Sequence, residues 1–187
     1  VMTPPYITAW GSELGYVVRP EPLLKGALAL FCHTGKAGEG APVWGRISEE
    51  RQRRCAVLQL CQICGESLAG VGYAIAISLP GEDLATLPLR GHEPMVCTRC
   101  LPRSFYCPRI RQAYVEQALV IVAVRAFGLV PHRVGIHPDP VEEADIAVNQ
   151  ALVAAGLESA IDFVELLVES GTAFPGQMLA ELARLAR

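Results

Sequence analysis

The chain has 187 residues, 51% of them hydrophobic, and a formal net charge of −3. That length buries a core without disulfides, as one domain or a domain with a small appendage, so a bound metal would organise one region rather than the whole fold. The longest apolar run, Ala118 to Val124, stops at Arg125, far short of the roughly 20 residues that cross a bilayer. The N-terminal stretch carries Pro4 and Pro5 and neither region of a signal peptide, so a cytoplasmic protein without membrane contact is expected. Charge is uneven along the chain: arginines outnumber acids from Arg46 to Arg111, and acids dominate after Asp139.

Up to Gly45 the chain is rich in Pro and Gly, with one apolar run, Leu23 to Phe31, and a glycine-rich loop, His33 to Pro42. That loop fails the phosphate-binding pattern, because Leu30 stands where its first glycine belongs and Ala37 follows Lys36, so it reads as a surface turn. Ser48 as N-cap, with Glu49 and Glu50 behind it, predicts a helix to Leu60 that delivers the chain to Cys61. Gly70 to Pro80 reads as a strand stopped by Pro80-Gly81, part of a hairpin, and Leu101 to Tyr106 as a short helical turn stopped by Pro108. A strand from about Ala118 should turn near Gly128 and return through Val134 to Ile136. Three helices are expected beyond: from Asp139 and Pro140 to Gly156, from Ser159 to Gly171, and from Pro175 on.

The seven cysteines are odd in number, and four of them form two C-x-x-C pairs, which suits metal binding better than a disulfide framework. Cys61, Cys64, Cys97 and Cys100 supply the four soft ligands that a closed zinc site takes, and Gly65 follows the first pair where a knuckle needs positive φ. The 32 residues between Cys64 and Cys97 leave room for a hairpin. A rubredoxin-like iron site uses the same ligands, but Leu101 and Pro102 replace the glycine expected after its second pair. Cys32, Cys55 and Cys107 read as packed thiols; a second site from them and His33 has ligand spacing only at Cys32 and His33.

Two enzymatic readings compete. A zinc deaminase or related hydrolase would use Cys64, Cys97 and Cys100 as ligands, an open position for water, and Glu66 for proton transfer. Against it, Val96 replaces the usual proline, glycines interrupt the helix that Glu66 should open, and Cys61 stands ready to close the open position. An HNH nuclease needs an Asp-His or His-His step and an asparagine between the knuckles, where His92 is the only histidine and no asparagine occurs.

Together, the run from Glu50 to Leu68 and the run from Glu93 to Arg111 resemble small proteins of actinobacteria and their phages. In these a basic helix leads into C-x-x-C-G, a second C-x-x-C follows, and a Cys-Pro comes soon after, here Cys107-Pro108. The resemblance implies a treble-clef or zinc-ribbon arrangement with Cys97 and Cys100 near the start of a short helix, Cys107 close to the metal, and no particular reaction. An α+β chain is therefore expected, with an N-terminal segment (1–45), a four-cysteine zinc module (46–111) and a β-hairpin with C-terminal helices (112–187) forming one compact body with it. The functional expectation is a noncatalytic zinc module. Arg51, Arg53, Arg54, Arg99, Arg103, Arg109 and Arg111 would make a basic face for nucleic acid or an acidic protein partner, in an oligomeric state left open.

Overall fold

A computed structural model describes residues 4–68, 70–77, 89–91 and 93–185. In chain order the elements are β1 (Thr8–Trp10), β2 (Leu14–Glu21), β3 (Ala27–Thr34), β4 (Pro42–Ile47), α1 (Glu49–Leu58), β5 (Gly72–Ile77), β6 (Leu89–Gly91) and β7 (Val96–Cys97). There follow α2 (Leu101–Ser104), α3 (Pro108–Val115), β8 (Leu119–Gly135), α4 (Glu143–Ala155), β9 (Ser159–Pro175) and α5 (Gln177–Leu185). The class is mixed α+β. The chain forms two compact units, Val1–Arg54 with Pro131–Val164, and Cys55–Val130 with Glu165–Arg187. Among the described residues no helix is long and apolar enough to cross a membrane.

In the first unit β2 and β3 form an antiparallel hairpin, Leu14 opposite Thr34 through Glu21 opposite Ala27. Its turn passes through left-handed Lys25 and Gly26. Successive β3 side chains go to opposite faces: Leu30 packs with Ala151 and Leu152 of α4, while Ala29 and Phe31 pack with Ile161 of β9. Helix α1 docks through a side chain that imitates a strand. The Gln52 amide donates to Val164 O at 2.7 Å and accepts from Val164 N at 3.0 Å, pairing backbone groups that burial would otherwise strand.

In the second unit β5 lies between β8 and β7, antiparallel to both, with Gly72 opposite Val124 and Cys97. Short β6 pairs with β9, Leu89 opposite Val168. The core gathers Val96, Leu101, Ile121, Val122, Leu166, Val168 and Leu179 around the buried Cys61 and Cys100.

Several expected elements differ. The stretch expected as a helix from Ser159 is strand β9, because Val164, Leu166 and Val168 are buried in strict alternation. Strand β8 runs through Gly128 without turning; a Cβ there would meet Glu169 Oε1 at 3.2 Å, so this glycine answers a close neighbour and not a turn. Pro108 opens α3 where a stop was expected, as proline's fixed φ allows at a first helical position. Helix α4 begins at Glu143 with Glu142 as its N-cap, later than the Asp139-Pro140 start, and ends as expected at left-handed Gly156. The end of the strand expected to reach Pro80, and His92, lie outside the described residues.

Candidate metal centre

Helix α1 ends where Gln59 turns left-handed, and the chain then doubles back on itself. Leu60 bridges Ser67, Cys61 N donates to Glu66 O at 2.8 Å, and Gly65 N donates to Cys61 O at 2.8 Å. Gly65 has φ 74°, the positive value its position after a knuckle demands. Cys61 and Cys64 therefore sit on a closed loop of fixed geometry. The second pair has a different frame: Cys97 ends β7, Cys100 precedes the first turn of α2, and Cys100 N donates to Cys97 O at 3.0 Å. Gln62 N donates to Met95 O at 3.1 Å and ties the first loop to the strand that carries the second pair.

This frame brings the four thiols together. Their sulfurs all lie within 4.8 Å of one another, Cys64 and Cys97 at 4.0 Å, and all are free thiols. A tetrahedral ion with metal–sulfur bonds of about 2.3 Å needs sulfurs about 3.8 Å apart, so the cluster closes on an ion with small side-chain shifts. The donor set thus fits a metal ion. Among the described residues no other group of His, Cys, Asp and Glu is close enough to share one.

The electrostatics point the same way. Burial pushes the Cys61 thiol up, against backbone N–H groups of Cys97, Cys64 and Ile63 that stabilise its thiolate. Burial and then the Cys61 charge push Cys100 well up. At Cys64 burial is outweighed by the Glu66 backbone N–H and by donors on Cys61, Cys100 and Arg99, which bring it down to about 7. Thiolates this close repel one another; a cation among them removes the conflict.

The candidate residues divide. Glu66 is exposed and ion-paired with Arg99, whose guanidinium also lies 3.9 Å from Cys64 Sγ. Cys55 is buried behind the first loop with its sulfur 4.0 Å from Cys61 O, and Cys107 is exposed before α3. Cys32 belongs to the first unit, where its thiol donates to Thr34 O at 2.9 Å; burial raises its pKa. Arg54, Arg99, Arg103, Arg109 and Arg111 are exposed. Arg51 and Arg53 must be withdrawn from any basic face. Arg51 grips Glu13 with two nitrogens at 2.6 and 2.7 Å and reaches Thr8 O, also at 2.7 Å. Arg53, with no exposed surface, bonds Glu21 at 3.2 Å, Leu30 O at 2.7 Å and Asp162 O at 2.6 Å. Its guanidinium also stacks 4.9 Å from the Phe31 ring centre.

Comparison with family models, curated proteins and solved structures finds no match to this chain.

Proposed function

We propose that the cysteine cluster is a structural zinc centre in a treble-clef or ribbon-like setting, and that the arginine surface behind its second pair binds nucleic acid. The observation that carries the first part is convergence: a knuckle and a helix start present four sulfurs within 4.8 Å. Zinc is favoured over iron because the second pair runs straight into α2 and lacks the glycine-closed loop of a rubredoxin-like site. A knuckle, a β5–β7 pairing and a helix opening at the second pair follow one another in treble-clef order.

The second part rests on charge. Between Glu93 and Glu116 the chain has four arginines and no acid. Arg103, Arg109 and Arg111 are exposed on α2 and α3, with exposed Tyr106 between them as a stacking surface. Phosphate contacts release counterions, so the logarithm of affinity should fall with that of salt by about 0.9 per contact on duplex and about 0.7 on a single strand. Arg109→Ala with Arg111→Ala should flatten that slope by about two contacts. Binding that ignores salt would remove the nucleic-acid reading, and binding only to acidic proteins would replace it.

A zinc hydrolase using Glu66 is the second reading, favoured by the nearness of Glu66 to Cys64. It needs an open position, and Cys61 lies among the other three sulfurs. Cobalt substitution separates the two: four thiolates without exchangeable water supports the structural centre, three with water supports the enzyme.

A further inference from the structure

Arg99 lies between the two ligands of the second pair, and Glu66 lies two residues past the first. The Arg99 guanidinium bonds Glu66 Oε2 and at the same time lies 3.9 Å from Cys64 Sγ. One side chain of the second pair therefore holds both a ligand sulfur and a carboxylate of the first loop. A backbone bond, Gln62 N to Met95 O, also ties the two loops. We propose that Arg99 and Glu66 form a latch across the solvent side of the metal centre that slows metal release.

Cys61 and Cys100 are 0% and 2% exposed, so a competing ligand from solvent meets Cys64 or Cys97 first. Arg99 covers Cys64. It also supplies positive charge to a centre that needs it: four thiolates around a divalent ion carry a net charge of about −2. An outer hydrogen bond to a ligand both orients it and lowers its tendency to leave. Glu66 fixes the guanidinium in place, since a flexible arginine would otherwise spend its time in water. The side chains of Arg99 and Glu66 are 70% and 67% exposed, so salt should loosen the latch, and its effect belongs to the modest range of surface ion pairs.

The latch rests on the reading of the cluster as a metal centre, and one experiment separates them. The full chain is loaded with Zn2+, and the rate of transfer to an excess of a chromogenic chelator is followed at low and high salt. Arg99→Gln should speed release by about three-fold at low salt, with Arg99→Lys in between. Glu66→Gln should speed release in the parent chain and add nothing once Arg99 is gone. Salt should accelerate the parent and leave Arg99→Gln unchanged. If the parent fails to hold one zinc per chain, the metal reading falls. If parent and Arg99→Gln each hold one zinc and release it at the same rate, or if Glu66→Gln acts equally without Arg99, the latch alone is overturned. Because both side chains are exposed, these variants leave the core intact.

Discussion

Arg53→Ala is the most demanding test of the first unit, because it removes the guanidinium paired with the buried Glu21 carboxylate. Arg53 is fully buried and Glu21 is 4% exposed, and the guanidinium also serves the carbonyls of Leu30 and Asp162. Breaking a buried pair by deleting one partner costs about 3–5 kcal/mol, chiefly for the charge left behind. The two abandoned carbonyls hold the value toward the middle or top of that range, because water reaching a truncated side chain recovers only part of their bonding. A cost of about 4 kcal/mol with a urea slope of about 2 kcal/mol/M lowers the unfolding midpoint by about 2 M. The reporter is built in, since both tryptophans of the chain, Trp10 and Trp44, lie in the first unit. Arg53→Met combined with Glu21→Gln should cost less than Arg53→Met alone, because the stranded charge is gone while Oε1 of residue 21 still accepts from Leu23 N. A midpoint shift below about 0.5 M for Arg53→Ala would refute the buried network and place Arg53 back in water.

Tyr16 offers a pH test: burial, then the Glu49 charge and hydrogen bond, raise its pKa from 10.0 to about 12, against Arg46. A raised folded value means its contribution to stability is complete below pH 10.0 and is lost as pH rises through about 12. Ultraviolet difference titration should show a late phenol, which Glu49→Gln brings earlier. Gly35→Ala should destabilise the first unit by more than about 1 kcal/mol, since φ is 81° and a Cβ would lie 2.0 Å from Ser12 O; an unchanged urea midpoint would remove the close approach. Cys61→Ser should abolish stoichiometric metal, because a buried position admits no replacement ligand, whereas Cys64→Ser, at a half-buried position, should keep metal with weaker affinity. Elemental analysis after dialysis reads both, and equal retention by the two variants would contradict the inside–outside division of the ligands.

The cluster of thiols was legible in the sequence because its information is local. Two C-x-x-C spacings and Gly65 dictate two tight loops wherever the rest of the chain goes. The helix α1 and the left-handed Gly156 stop were legible for the same reason, each being set by a cap. Strand β9 was not. Phe163, Val164, Leu167 and Val168 recur at helical spacing, and only the burial of Val164, Leu166 and Val168 on one side shows that a period of two decides. Gly128 misled in a similar way. A glycine in an apolar run signals a turn or a close neighbour equally well, and the neighbour, Leu167 with Glu169, lies in a strand that the sequence read as helix.

The arginines show why charge read along the chain is a poor guide to a surface. Arg51 and Arg53 stand in the same short run as Arg54, yet the first two are turned inward and the third is exposed. What separates them is the partner. Glu13 and Glu21 lie 38 and 32 residues earlier, in a segment whose acids are few, and both are buried against these arginines. A window of charge around α1 counts the cations and misses the anions that neutralise them. The stretch from Arg99 to Arg111 divides by the same criterion: Arg99 is held by Glu66 from the first loop, while Arg109 and Arg111 stand exposed on α3. The surface proposed for phosphate therefore draws on the exposed arginines and not on Arg51 or Arg53, where substitutions test the folding of the first unit instead.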